Sequence, residues 1–179
     1  MKGIFSMWKY FLPDFYFDKY SDITPQFLLD NNIHTLLLDV DNTLAPYEQA
    51  EPDEKILAWL SSLKENGIKF AFISNNSSPD RIDLFNKNIG ALAYARSAKP
   101  LAKNTKRALA ELGSSKETSA FLGDQIFTDV CAGKWHGMRA IIVPPIKDKT
   151  TLFFKAKRWL EKPIMKKFFK THKNSSERK

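Results

Sequence analysis

A chain of 179 residues with 43% hydrophobic residues, 13% aromatics and only 7 glycines is long enough to bury a single core, and it has the composition of neither a disordered nor a fibrous protein. Cys131 is the single cysteine, so no intrachain disulfide can form, which fits a reducing cytosol. The net charge of +8 is concentrated at one end: residues 147–179 hold 12 Lys and Arg against Asp148, Glu161 and Glu177, whereas residues 1–146 hold 16 basic and 17 acidic side chains.

A basic tail on a near-neutral body points to a polyanion, either an anionic membrane surface or a nucleic acid, or else to a solvated terminus. No apolar run approaches the roughly 20 residues needed to cross a bilayer. Nor does the N-terminus carry the unbroken apolar core of a signal peptide. The expectation is a cytoplasmic protein with no transmembrane segment, soluble or peripheral at the inner membrane face.

In chain order, residues 1–23 are dense in aromatics: Phe5, Trp8, Tyr10, Phe11, Phe15, Tyr16, Phe17 and Tyr20 show no clear period. Packing on the core is the expected role, with membrane-interface anchoring as the alternative. Thr24-Pro25 opens a short helix through Asn31, with proline at its first position. A strand follows over His34–Asp39. Pro52 starts a helix with Ile56, Leu57, Trp59, Leu60 and Leu63 on its apolar side, and Gly67 stops it.

Ile68–Ile73 reads as a strand, Ser78-Pro79 opens a helix ending near Gly90, and Ala91–Ala95 reads as a short strand. A helix over Pro100–Leu112, a strand over Thr118–Leu122, a helix over Thr128–His136 and a strand over Met138–Val143 complete the alternation. Such order predicts right-handed βαβ units and a mainly parallel sheet covered on both faces, with residues 24–146 as the core. No internal repeat is present. Leu152, Phe153, Ala156, Trp159, Leu160, Ile164 and Phe168 then follow helical spacing among lysines, so residues 147–179 read as a basic amphipathic segment. Leu152, Ala156, Trp159 and Leu160 are expected to pack on the sheet, Pro163 to kink or break the helix, and only the part beyond it to stay free.

The polar residues gather at strand C-termini, which share one edge of a parallel sheet. Asp39, Asp41 and Thr43 follow the first core strand, Ser74-Asn75-Asn76 the second, Lys99 precedes the Pro100 helix, and Asp124 and Asp129 follow the fourth. Several carboxylates around one point call for a cation, and an all-oxygen donor set favours Mg²⁺. Three scattered histidines without a cysteine partner argue against zinc. The set suits phosphoryl transfer: a carboxylate takes up the phosphoryl group while metal and Lys99 offset the repulsion of two anions, and Ser74 and backbone N–H groups hold phosphate oxygens. Asp39 must stay ionised and Asp41 must carry a proton long enough to donate it to the leaving oxygen.

Asp39-Val40-Asp41-Asn42-Thr43 resembles motif I of the haloacid dehalogenase-like (HAD) hydrolases, Ser74 motif II, Lys99 motif III, and Gly123-Asp124 with Asp129 the acidic motif IV. The resemblance covers residues 34–143. It implies a three-layer Rossmann-like fold, with Asp39 as nucleophile forming an aspartyl-phosphate and Asp41 as general acid and then base. It further implies that Thr43, Ser74 and Asn75 bind substrate, and that Asp39, the Asp41 carbonyl and Asp124 hold Mg²⁺. Asp129 would support the metal or orient Lys99.

Thirty residues separate Thr43 from Ser74 and 24 separate Ser74 from Lys99, which leaves no room for an inserted cap domain. An open site suits a large or anchored phosphomonoester substrate. Leu12-Pro13-Asp14, Ala98-Lys99-Pro100 and the run Gly123–Val130 make the chain similar to the bacterial YqeG-type subclass IIIA phosphatases, themselves similar to the phosphatidylglycerophosphate phosphatases of cardiolipin synthesis. That resemblance implies a lipid phosphomonoester hydrolysed at the membrane surface. The alternatives are a phosphatase acting on nucleic-acid ends or a phosphoprotein, and a HAD-scaffold binding protein associated with RNA or ribosomes.

Overall fold

The structure, a computed structural model, describes residues 8–101, 103–147 and 151–176, without the side chains of residues 153, 154 and 173–176. Phe5, Asp148 and the last three residues, which enter the sequence reading, lie outside the described residues.

Among the described residues, six parallel strands form one sheet: β1 (Phe15–Tyr16), β2 (Thr35–Leu38), β3 (Lys69–Ile73), β4 (Leu92–Tyr94), β5 (Ser119–Gly123) and β6 (Arg139–Ile142), in the order β1-β6-β5-β2-β3-β4. The helices are α1 (Pro25–Asp30), α2 (Glu54–Glu65), α3 (Pro79–Asn86), α4 (Lys103–Glu111), α5 (Cys131–Trp135) and α6 (Leu152–Ser176). Strand β2 is central, with Leu37 opposite Ala71 of β3 on one side and opposite Phe121 of β5 on the other. Its four residues are all buried, and the last three read as an unbroken apolar run for that reason.

The period of two along each strand sorts the core into layers. Leu36 and Leu38, Phe70 and Phe72, and Leu122 face α1, α2 and α3, where they meet Leu28, Ile56, Leu60, Leu63, Ile82 and Phe85. Leu37, Ala71, Ile73 and Phe121 face the other way, onto Ala108 and Leu109 of α4 and Ala132 of α5. Local chemistry sets the helix starts: Thr24 Oγ1 accepts from Phe27 N–H at 3.1 Å and Asp53 Oδ1 from Ile56 N–H at 2.9 Å. Leu57 is the exception on α2, being exposed.

Two regions depart from expectation. Phe15–Tyr16 is a strand, parallel to β6, that lack of periodicity concealed; two residues are too few to display a period. Its neighbours pack on both sides of the sheet edge, Phe15 and Phe17 against Phe27 at ring-centroid distances of 5.0 and 4.8 Å and Tyr16 against Phe169 at 5.0 Å. The second departure is α6. It runs through Pro163 without ending there, and its apolar stripe of Leu152, Trp159 and Leu160 points to solvent at 85%, 68% and 51% exposure. The docked face is instead Glu161, Ile164 and Phe168, at 4–5% exposure, with Ile164 and Met165 joining Ile126, Val130, Ala140 and Ile142. Residues beyond Pro163 therefore belong to the core, and they anchor the helix.

Candidate active site

β2 turns sharply after Leu38. The Val40 carbonyl accepts from the N–H groups of Thr43, Leu44 and Ala45 at 3.0–3.2 Å, and Asn42 sits at φ 71°, a conformation that asparagine tolerates better than most residues. The Asn42 side chain clasps residue 147, donating to its carbonyl at 2.6 Å and accepting from its N–H at 3.0 Å. This loop holds the carboxylates of Asp39 and Asp41 at the end of the central strand, at the point where the strand order reverses. Clefts form there in open α/β sheets.

Asp39 Oδ1 lies 2.5 Å from Lys99 Nζ, and Asp39 Oδ2 accepts from Thr43 Oγ1 at 2.9 Å. Thr43 is buried behind Asp39 and orients it. Asp41 Oδ2 accepts from Asn76 Nδ2 at 2.8 Å, and its Oδ1 pairs with Arg81 at 3.3 Å. Arg81 also donates to the Ala50 carbonyl at 3.0 Å, bridging α3 to the loop after β2. Sequence reasoning missed Arg81. Its signal was a cation in the first turn of a helix, where the dipole disfavours one unless an anion lies in reach.

Ser74 follows β3 and is fully buried, and its Oγ accepts from Asn76 N–H at 3.0 Å. Asn75 faces the pocket, but its side chain is spent on the Lys99 backbone, donating to the carbonyl at 3.1 Å and accepting from the N–H at 2.6 Å. Arg96 and Ala98, at φ 47° and 52°, turn the chain so that Lys99 points inward. A left-handed alanine costs about 1–2 kcal/mol, strain of the kind that functional sites retain when their surroundings over-determine them.

Asp124 follows β5, and Asp129 lies in a π-helical turn (Ile126–Val130) that leads into α5. Asp129 Oδ2 accepts from Gln125 N–H at 3.0 Å and Oδ1 lies 2.8 Å from Lys99 Nζ. A β-carbon on Gly123 would overlap the Asp129 carboxylate, so only glycine lets that side chain fold back against the strand.

Electrostatics divide these groups. Burial pushes Asp39 above the ordinary carboxylate value, Lys99 draws it back, and Asp129 and Asp124 raise it again. Asp124 is raised too, by burial and Asp129, against the pull of Arg158 and Lys99. Burial would lower Lys99, but Asp129 and Asp39 outweigh it and hold the ammonium charged. Tyr47, at the pocket wall, is raised by burial and by the surrounding carboxylates and stays a neutral phenol.

Helix α6 completes the site. Arg158 donates to the Asp124 carbonyl at 2.6 Å, bonds Asp124 Oδ2, and reaches Glu161 Oε2 at 2.9 Å. Buried Glu161 accepts from Ile126 N–H at 2.9 Å. Lys157 lines the pocket and bonds the Gln125 side chain. Sequence reasoning attached no chemistry to these residues, since a cation on a helix of many lysines carries no mark of its partner.

The resulting pocket, about 430 Å³, is lined by Asp39, Asp41, Ser74, Lys99, Asp129 and Lys157 among others. Oxygens of Asp39, Asp124 and Asp129 lie within 4.8 Å of one another, and buried Asp124 Oδ1 has no hydrogen-bond partner. Clustered hard oxygens with one left unmatched fit a hard divalent cation, and among the described residues no imidazole or thiolate joins them. The Asp41 carboxylate stands outside that cluster, held by Asn76 and Arg81.

Residues 25–137 match the family model described as haloacid dehalogenase-like hydrolase. A probable phosphatase, YqeG, of Bacillus subtilis (strain 168) is 31% identical over 157 residues, which cover 88% of this chain and 91% of that one. Among solved structures, an uncharacterized protein from Listeria monocytogenes serotype 4b aligns with a TM-score of 0.52 at 17% identity, over 66% of this chain and 85% of that one, a likeness of fold alone.

Proposed function

This chain belongs to the haloacid dehalogenase-like hydrolases, and on that premise we propose that it is a Mg²⁺-dependent phosphatase acting on a phosphomonoester through an aspartyl-phosphate. The observation that carries the reading is the convergence of Asp39, Asp124 and Asp129 on one point, with the Lys99 ammonium 2.5 and 2.8 Å from the first and last.

Asp39 attacks phosphorus with one carboxylate oxygen, and the ester P–O bond breaks. Thr43 and Lys99 hold Asp39 in line. The leaving oxygen takes its proton from Asp41, which Asn76 and Arg81 aim. Water then attacks the phosphorus of the acyl phosphate, gives its proton to Asp41, and releases phosphate with Asp39 restored. Ser74 Oγ, already accepting from Asn76, has its O–H to offer a phosphate oxygen. Asp39, Asp124, the Asp41 carbonyl and Asp129 would hold Mg²⁺, which when bound supplies positive charge opposite the phosphoryl oxygens. Asn75 contributes by fixing the backbone of Lys99.

The substrate in this reading is phosphatidylglycerophosphate at a membrane surface, attacked by a cytoplasmic enzyme docked on the inner face. No helix among the described residues is long and apolar enough to cross a membrane. Support comes from α6, whose outward face carries Leu152, Trp159 and Leu160 with Lys155, Lys162, Lys166 and Lys170, all exposed, and half-exposed Phe169 beside them. Basic residues near an anionic surface contribute about 1 kcal/mol each. In this reading residues 24–146 carry the reacting groups, residues 8–23 brace the sheet edge, and the outward face of α6 docks.

The test is Mg²⁺-dependent phosphate release from vesicles containing phosphatidylglycerophosphate, against a panel of soluble sugar, nucleotide, nucleic-acid and phosphoprotein phosphates, with Asp39→Asn as blank. Preference for the vesicles, reduced in Trp159→Ala, supports the lipid reading. Better turnover of a soluble panel member replaces the substrate and keeps the mechanism, and release equal to the blank removes the enzyme reading.

A further inference from the structure

Beyond the four sequence motifs, a cation lines the pocket from outside the family-matched segment. Among the described residues, two basic side chains line the pocket, Lys99 and Lys157. Lys99 is committed to two carboxylates, Asp39 and Asp129. At the pocket's margins Arg81 is committed to Asp41, and Arg158 to Asp124 and Glu161. Lys157 alone of these has a neutral partner, the side-chain carbonyl of Gln125. Its charge is therefore the one available to an incoming anion without first breaking an ion pair.

The placement of Lys157 is built in. Arg158, the next residue, grips both the carbonyl and the carboxylate of Asp124. Glu161, one turn on, is buried and accepts from Ile126 N–H. Ile164 and Phe168 continue the same face into the core. A half-buried lysine on a helix fastened at four points loses little side-chain freedom on binding, so an anion met there is bound at reduced entropic cost.

We propose that α6 serves as a cap in cis and that Lys157 is a substrate-binding residue, donating to a non-bridging oxygen of the phosphate in place of Gln125. The inference rests on the phosphatase reading, because it takes the pocket's ligand to be a phosphate. It goes beyond it in assigning a binding residue and a covering element that lie outside the motifs.

The experiment titrates inorganic phosphate into the full-length protein with Mg²⁺ present and measures kcat and KM on a soluble aryl phosphate, for the parent, Lys157→Gln, Lys157→Arg and a control on the exposed side of α2, Lys55→Gln. The expected result is phosphate affinity weakened about tenfold or more in Lys157→Gln, the size of one lost charge-assisted hydrogen bond. KM rises in step while kcat changes less, Lys157→Arg recovers most of the loss, and Lys55→Gln matches the parent. An unchanged unfolding midpoint shows that the variant is folded; if Lys157→Gln does not fold, Lys157→Met keeps the stem packed and carries the same test. Parent-like phosphate affinity in the variant, or an equal loss in Lys55→Gln, overturns the proposal. Absence of turnover in the parent, with phosphate binding still dependent on Lys157, removes the hydrolase reading and leaves this inference standing. Normal turnover with phosphate affinity independent of Lys157 does the reverse.

Discussion

Strand β2 and helix α6 bring charged side chains to the same pocket by opposite means. β2 is wholly buried between two parallel neighbours and leads directly into Asp39 and Asp41. α6 lies across the outside, held by Arg158, Glu161, Ile164 and Phe168, with its other face in water. Asp39 thus follows a strand covered on both faces, and Lys157 stands on a helix fastened along one face only. Catalytic geometry has to be held to a fraction of an ångström, whereas a covering element has to let substrate in.

The sharpest way to break this contrast is at Asp39. Asp39→Asn should lower turnover about 10⁴-fold or more, the scale of losing a nucleophile. The same change should raise the thermal midpoint of the metal-free protein, because burial already disfavours the charged form. A falling midpoint would show that the carboxylate, charged, stabilises the fold.

Next in size is packing. Phe121→Ala in β5 should cost about 3–5 kcal/mol of global stability in urea titrations. Phe168→Ala, an equally buried aromatic on α6, should instead speed amide exchange over α6 and raise KM, with the exchange of β2 unaltered. Matching global losses would make α6 part of the same cooperative unit as the sheet.

Metal and pH follow. Asp39 and Asp124 have folded values pushed up to about 7 and about 6 from 3.8. A raised acid favours the fold while protonated, so that contribution is complete below about pH 4 and is lost as pH climbs through 6 to 7. With chelator present, the urea midpoint should fall between pH 5 and pH 8. Saturating Mg²⁺ should offset that fall, by about 2.7 kcal/mol at a hundredfold excess over Kd. A midpoint that rises with pH in chelator would contradict the sign.

The smallest expected effect is on the outer face of α6. Trp159→Ala should change stability by no more than about 0.5 kcal/mol, as surface substitutions do, while weakening binding to anionic vesicles. A large stability loss would place Trp159 in the core after all.

The central strand, its flanking βαβ order and the carboxylates beyond it were legible because they rest on local signals: an apolar run, glycine and proline punctuation, and residues at strand ends that a parallel sheet must bring to one edge. Leu36-Leu37-Leu38 has no amphipathic choice to make, since both its faces are covered. Thr43 and Asn75 were expected to bind substrate, whereas the partners the fold gives them are within the protein: one donates to Asp39 and the other holds the Lys99 backbone. β1 gave no signal, being two residues long, and α6 gave a misleading one.

The sequence by itself determined the fold class and where the acids meet, since strand period and topology are consequences of chain-local patterning. Only tertiary structure decided which face of α6 docks. Its stripe of Leu152, Trp159 and Leu160 is the more apolar one by composition, but the sheet edge offers Asp124 and the Ile126 N–H, and a buried carboxylate or N–H left unpaired costs more than an exposed tryptophan. Pairing those groups through Arg158 and Glu161 turned the helix over, and in doing so carried Lys157 into the pocket.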